Sequence, residues 1–236
     1  MLTGMNTDNV YPSSYPAAER VNTFLRSVYG WMGAGLAITA AAASFVASSP
    51  GLVSAIATNR LLFWALVIAQ FGLVITLSAR VQQMAASTAA ALFVAYSALT
   101  GVTLSFVLLA YTGESVATTF VITAAMFGSL AFYGTVTTRS LAGWGSFLFM
   151  GLVGVVLASI VGIFWQNDAL QFMIAFIGVI VFTGLAAYDA QRLKAMALAT
   201  PEGQTGSYAI VGALALYLDF VNLFLMLLRF TGRRRD

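Results

Sequence analysis

The chain has 236 residues, 60% of them hydrophobic and 8% charged, with a mean hydropathy of +0.90, whereas soluble domains are roughly a quarter charged. That balance excludes a soluble globular fold and indicates one polytopic membrane domain, since no segment has the mixed polarity of a separate soluble unit. The net charge is +3, with neither cysteine nor histidine, which excludes disulfides, thiol-bound zinc, iron–sulfur clusters, Ser-His catalysis and imidazole metal sites.

Residues 1–22 are polar and turn-rich, with Pro12, Pro16 and the pair Ser13-Ser14, and read as a flexible tail. This is not a signal peptide, because the apolar run that follows is too long for a cleavable one. Seven apolar runs follow, at 28–46, 61–78, 88–111, 116–136, 141–164, 170–188 and 208–230. Each reaches the ~17 residues that a helix needs to cross about 30 Å of hydrocarbon. The connections are polar or turn-forming, as in Ser48-Ser49-Pro50-Gly51, Gln82-Gln83 and Gln166-Asn167-Asp168. The expected fold is an all-α membrane protein, a seven-helix bundle over residues 23–230, followed by a short basic tail at 231–236.

Basic residues set the expected orientation. With a cytoplasmic N-terminus, the inner segments hold Arg20, Arg26, Arg80, Arg139, Arg192 and Lys194, and the outer loops hold Arg60. Seven crossings then leave Arg229, Arg233, Arg234 and Arg235 outside, against the trend; the alternative is a last segment that re-enters and returns. Scattered in this way, the positive charges read as topology signals, and no nucleic-acid partner is expected. Gly151, Gly154, Gly162, Gly184 and Gly212 within the spans read as sites of close helix packing.

Two acids interrupt the last two spans. Asp189 closes the run Thr183-Gly184-Leu185-Ala186-Ala187-Tyr188-Asp189, and Asp219 stands inside Leu216-Tyr217-Leu218-Asp219-Phe220-Val221-Asn222. A charge in hydrocarbon costs about 3 kcal/mol, which makes intramembrane acids functional candidates. The position midway between them, Gln204, lies in the turn 201–206, so antiparallel arms set the two carboxyls at about the same depth. Gly212, Ala215, Asp219, Asn222 and Met226 form one small-and-polar stripe at helical spacing. Asp219 and Asn222 could instead be interhelical glue, satisfied by Ser97, Thr100, Thr103 or Tyr133. Arg192 follows Asp189 by three residues, the spacing of a local ion pair. Two close carboxyls ionise together only at high cost in a low dielectric, so the pair is expected to share a proton and to sense pH without histidine. Arg80 ends the second span on the side of the hairpin turn. It is either a snorkelling anchor or a latch that holds ionised Asp189 and releases it on protonation.

The segments 184–189 and 216–224, with Leu227-Leu228-Arg229 after them, closely resemble the C-terminal signature of the transmembrane Bax inhibitor motif family. The runs Leu25-Arg26-Ser27-Val28-Tyr29 and Leu99-Thr100-Gly101-Val102-Thr103-Leu104 resemble its upstream pattern, so the likeness covers nearly the whole chain. It implies a bundle whose last helix is central and which acts as a pH-sensitive calcium leak in a bacterial inner membrane. It also implies a proton-sharing pair at Asp189 and Asp219 and a latch at Arg80, beside which Asn222 and Arg192 are read from their spacing as supporting polar residues. Where bacterial members carry a further acid in the second helix, this chain has neutral Gln70 or Ala69.

The expected partners are therefore the lipid bilayer, protons and calcium ions, the last bound weakly and transiently by Asp189 and Asp219 as transported ions rather than as a cofactor. The alternative is a non-conducting regulator of other membrane proteins, such as a quality-control protease, docking through residues 1–16. No enzyme is expected. A serine protease lacks its histidine, Asp219 is not preceded by the Gly-x-Gly of intramembrane aspartyl proteases, and the only lysine, Lys194, lies outside the last helix, where a retinal Schiff base would need it.

Overall fold

The computed structural model describes residues 17–165, 167–201 and 203–235. These form helices α1 (Ala17–Ala47), α2 (Pro50–Thr58), α3 (Arg60–Arg80), α4 (Ala86–Ala110), α5 (Gly113–Val136), α6 (Ala142–Phe164), α7 (Asp168–Ala199) and α8 (Thr205–Thr231), with a 3-10 turn at Val81–Gln83. All but α2 are long and apolar enough to cross a membrane, seven in total.

Two boundaries differ from expectation. Residues 17–22, expected to belong to the tail, are the first turns of α1: Val21, Phe24 and Val28 bury one helical face, and Arg20 Nη2 donates to Thr200 O at 3.3 Å. The rest of the tail, with its docking segment, lies outside the described residues. α7 runs eleven residues beyond the apolar run that ends at 188, up to the turn expected at 201–206, because Ala190, Leu193 and Ala197 continue its buried face between polar residues. At 1.5 Å per residue its 32 residues span ~48 Å. α2 is a short helix where a turn was expected, since Pro50 occupies a first-turn position, where its missing N–H costs nothing.

α8 is the axis of the bundle. It packs on α1, α4, α5 and α7 and buries most of its surface through Leu216, Tyr217, Phe220, Leu223 and their neighbours, while one stripe, Ala215, Leu218, Asn222 and Leu225, is half-buried. α3 rests on α4 and α6 on α7, and their outer faces, with Phe71, Ile75, Phe149 and Leu157 exposed, are lipid-facing. Gly203, at φ 94°, supplies the left-handed step of the α7–α8 turn. Gly206, in the first turn of α8, lies against Ala86 in the first turn of α4. At the other end Thr112 N donates to Arg233 O (3.0 Å) and Arg235 N to Ala110 O (2.9 Å). α8 therefore runs alongside α4 from start to finish and crosses completely, which removes the re-entrant alternative. The basic tail is pinned as a short antiparallel bridge to the α4–α5 connection.

Inside the bundle Tyr217 is fully buried, with its hydroxyl 2.6 Å from Thr39 Oγ1. Thr39 gives its own proton to Ser97 O at 2.9 Å, so Tyr217 is the donor to Thr39. Tyr217→Phe removes that bond without changing ring packing and should cost about 1 kcal/mol, read as a lowered melting midpoint in detergent.

Candidate functional site

The segment of α7 that carries Asp189 is gripped by glycines on its neighbours. A side chain at Gly134 of α5 would overlap the carbonyl oxygen of Ala187, and one at Gly145 of α6 would meet the Tyr188 ring. Gly184 in turn accommodates Leu148 of α6. Two further ties hold the α5–α6 connection to α7: Gln191 accepts from Leu141 N (2.7 Å) and donates to Arg139 O (2.9 Å), and Lys194 Nζ donates to Thr135 O (3.0 Å). Gln191 and Lys194 were not foreseen as positioning residues. The signal for them was the run Thr137-Thr138-Arg139-Ser140, whose backbone groups need partners outside the helices.

Against α8 the register is set by Gly178 on Met226 and by Leu193 on Gly212, which also meets Val28. By this register Asp219 lies about three residues, ~4.5 Å, farther from the turn than the position level with Asp189. Side chains lean toward the N-terminus of their own helix. In antiparallel α7 and α8 that lean moves Asp189 away from the turn and Asp219 toward it, so the offset closes. That brings the two carboxyls to one cavity.

The pair borders a cavity of about 720 Å³ between α6, α7 and α8, which Arg192, Asn222, Tyr188 and Ser146 also line. Arg192 stands near enough to act on Asp189 by charge. Asn222 Nδ2 is committed to Leu218 O at 2.8 Å. Asp219 is 6% exposed, and its Oδ2 is one of three buried side-chain polar atoms without a hydrogen-bond partner among the described residues, with Ser97 Oγ and Thr183 Oγ1. A buried carboxylate oxygen without a donor is costly.

The stripe read from the sequence is thus brought to α7, but the hydroxyls proposed as glue are not the partners of Asp219. Thr100 donates to Tyr96 O, Thr103 donates to Thr100 O and accepts from Gln70, and Tyr133 is exposed. Gln70 is bound within the α3–α4 contact instead of standing as a free ligand. Arg80 ends α3 exposed, apart from the residues that line the cavity; this conformation does not bring it to Asp189. Of the five glycines read as close-packing sites, Gly154 faces open space and the other four meet a neighbour. Among the described residues no group of three or more acids is placed to hold a metal ion.

Comparison with known proteins agrees with this architecture. A family model described as inhibitor of apoptosis-promoting Bax1 matches residues 21–236. The chain is 49% identical over 218 residues to the inner membrane protein YbhL of Escherichia coli K12, covering 91% of this chain and 93% of that one. It is 44% identical over 217 residues to an uncharacterized protein of Borreliella burgdorferi, covering 91% and 94%. With an uncharacterized membrane protein of Streptococcus pyogenes the identity is 36% over 219 residues, covering 90% and 93%.

Proposed function

The chain belongs to the Bax inhibitor family of membrane proteins, and on that premise we propose that it is a pH-sensitive calcium leak gated by a proton shared between Asp189 and Asp219. The observation that carries this reading is the meeting of the two carboxyls at one cavity that Arg192 also lines. Hard carboxylate oxygens suit calcium, and two of them, without a third acid, suit passage better than retention. Proton and cation compete for the same oxygens, and the charge of the pair also sets how firmly Arg192 is held. Flux therefore varies with pH. The test is flux through the purified protein in liposomes, with calcium, sodium and potassium compared across pH. Calcium flux no greater than in empty liposomes at every pH rules the leak out.

The latch proposed for Arg80 passes to Arg192 in this reading, because Arg192 already lines the cavity. Arg192→Gln should displace the pH midpoint of flux, whereas Arg80→Gln should leave it in place; the reverse result returns the latch to Arg80.

The protein is a multi-pass membrane protein, and its E. coli relative is named an inner membrane protein. In the same reading it lies in a bacterial cell membrane with the N-terminus cytoplasmic, since the end of the bundle that holds Arg20 also holds Arg80, Arg139, Arg192 and Lys194. The chain has no cysteine, so single replacements report sidedness directly. A membrane-impermeant thiol reagent should label Glu114→Cys in intact spheroplasts and Pro201→Cys only after lysis.

A further inference from the structure

On the side of α8 away from the aspartate pair, a second cavity of about 590 Å³ opens between α1, α4 and α5. That volume lies in the range of sites that hold a ligand of drug size. Its walls include Leu36, Ala40, Leu104, Ala117 and Phe120, with Phe224 of α8 in the floor. The one buried hydroxyl on its wall, that of Thr39, is already spent on Ser97 and Tyr217, so the interior offers nothing to a polar guest.

The cavity's length is informative. Along α1 it runs from Leu36 to Ser44 and along α5 from Gly113 to Val121, about eight residues or ~12 Å in each case. Half of a ~30 Å hydrocarbon core is ~15 Å, so the slot spans one leaflet. Leu36 and Phe220 also border a separate space of about 420 Å³ that continues between α1 and α5, so these two side chains divide the crevice near mid-membrane.

The mouth carries a guanidinium. Arg235 lines it, carried on the tail that the backbone bonds to Ala110 and Thr112 hold in place. Gly113, the first residue of α5, lines it as well, and the start of a long helix adds partial positive charge. Glu114, the acid of that first turn, is not among the lining residues.

An apolar slot one leaflet deep with a cation at its mouth matches an amphiphile with one buried chain and an anionic head. We propose that this crevice binds an acyl chain of an anionic phospholipid, with the phosphate paired to Arg235, in the leaflet at which α8 ends. The interaction is separate from the aspartate pair and is read out without any measurement of flux.

The test is the thermal midpoint of the purified full-length protein in mild detergent, with phosphatidylglycerol, phosphatidylethanolamine or oleate added. Phosphatidylglycerol should raise the midpoint by about 4 °C or more, by more than the other two, and native mass spectra should show saturation near one lipid per protein. Ala117→Trp, which fills the slot, should abolish the rise. Arg235→Gln should reduce it to the level of phosphatidylethanolamine; both residues are exposed, and if Ala117→Trp fails to fold, Arg235→Gln decides alone. Equal shifts for the two phospholipids overturn the proposal, as does a phosphatidylglycerol shift that survives in the variants. Oleate matching phosphatidylglycerol also overturns it, since the site would then read a fatty acid.

Discussion

Replacing Asp189 and Asp219 together by asparagine is expected to leave cation flux through the reconstituted protein flat between about pH 5 and pH 8, the range that histidine would cover in another protein. The chain has no histidine, and among the described residues the α6–α7–α8 cavity is the one place where two acids meet. The amides keep the shape of the carboxyls and can hydrogen-bond to each other, so the variant should fold and its melting midpoint should stay close to wild type. What it loses is the exchangeable proton and the negative charge a calcium ion would meet. Complete loss of the pH response, with calcium flux reduced, is the expected outcome. A wild-type pH profile in the double variant would falsify gating by the pair, because no protonation of these side chains would remain to cause it.

Gly134→Ala should be as damaging to the fold as the aspartate changes are to conduction. The added Cβ would overlap the carbonyl oxygen of Ala187, and backbone cannot rotate aside as a flexible side chain can. α5 and α7 would have to separate at the level of the pair, with a loss of about 3 kcal/mol or more, and Asp189, two residues beyond Ala187, would move with α7. A sharp fall in folded yield and melting midpoint is expected. Gly128→Ala, on the same helix with nothing within 4 Å of the new carbon, is the control and should be nearly silent. Equal tolerance of both would mean that α5 and α7 are farther apart than described.

Much of the architecture was legible along the chain. The spans stand out because hydrocarbon demands long apolar runs, and two acids in such runs are conspicuous for the same reason. The end of α7 was legible from the turn at 201–206, although beyond Asp189 the helix leaves the apolar register. It is held by a narrower stripe of Ala190, Leu193 and Ala197 against the bundle. α2 was hidden by Pro50-Gly51, which reads equally as a turn and as a helix start. The place of Arg80 could not be read either. Sequence puts it at the right end of the molecule, but whether it reaches Asp189 depends on which side of α8 its helix packs, and α3 packs on α4.

The sequence by itself determined the membrane class, the seven spans, the hairpin that brings Asp189 and Asp219 to similar depth, and the stripe that carries Asp219. These follow from hydropathy and helical period, which are properties of one segment at a time. Tertiary structure alone decided which of the two candidate cations, Arg80 or Arg192, lines the cavity of the pair, which glycines bear on backbone, where the tail is pinned, and that an apolar slot opens on the far side of α8. Those depend on how far each helix is rotated and shifted against its neighbours. Interlocking of side chains from several helices at once sets that rotation, and no single stretch of sequence contains it.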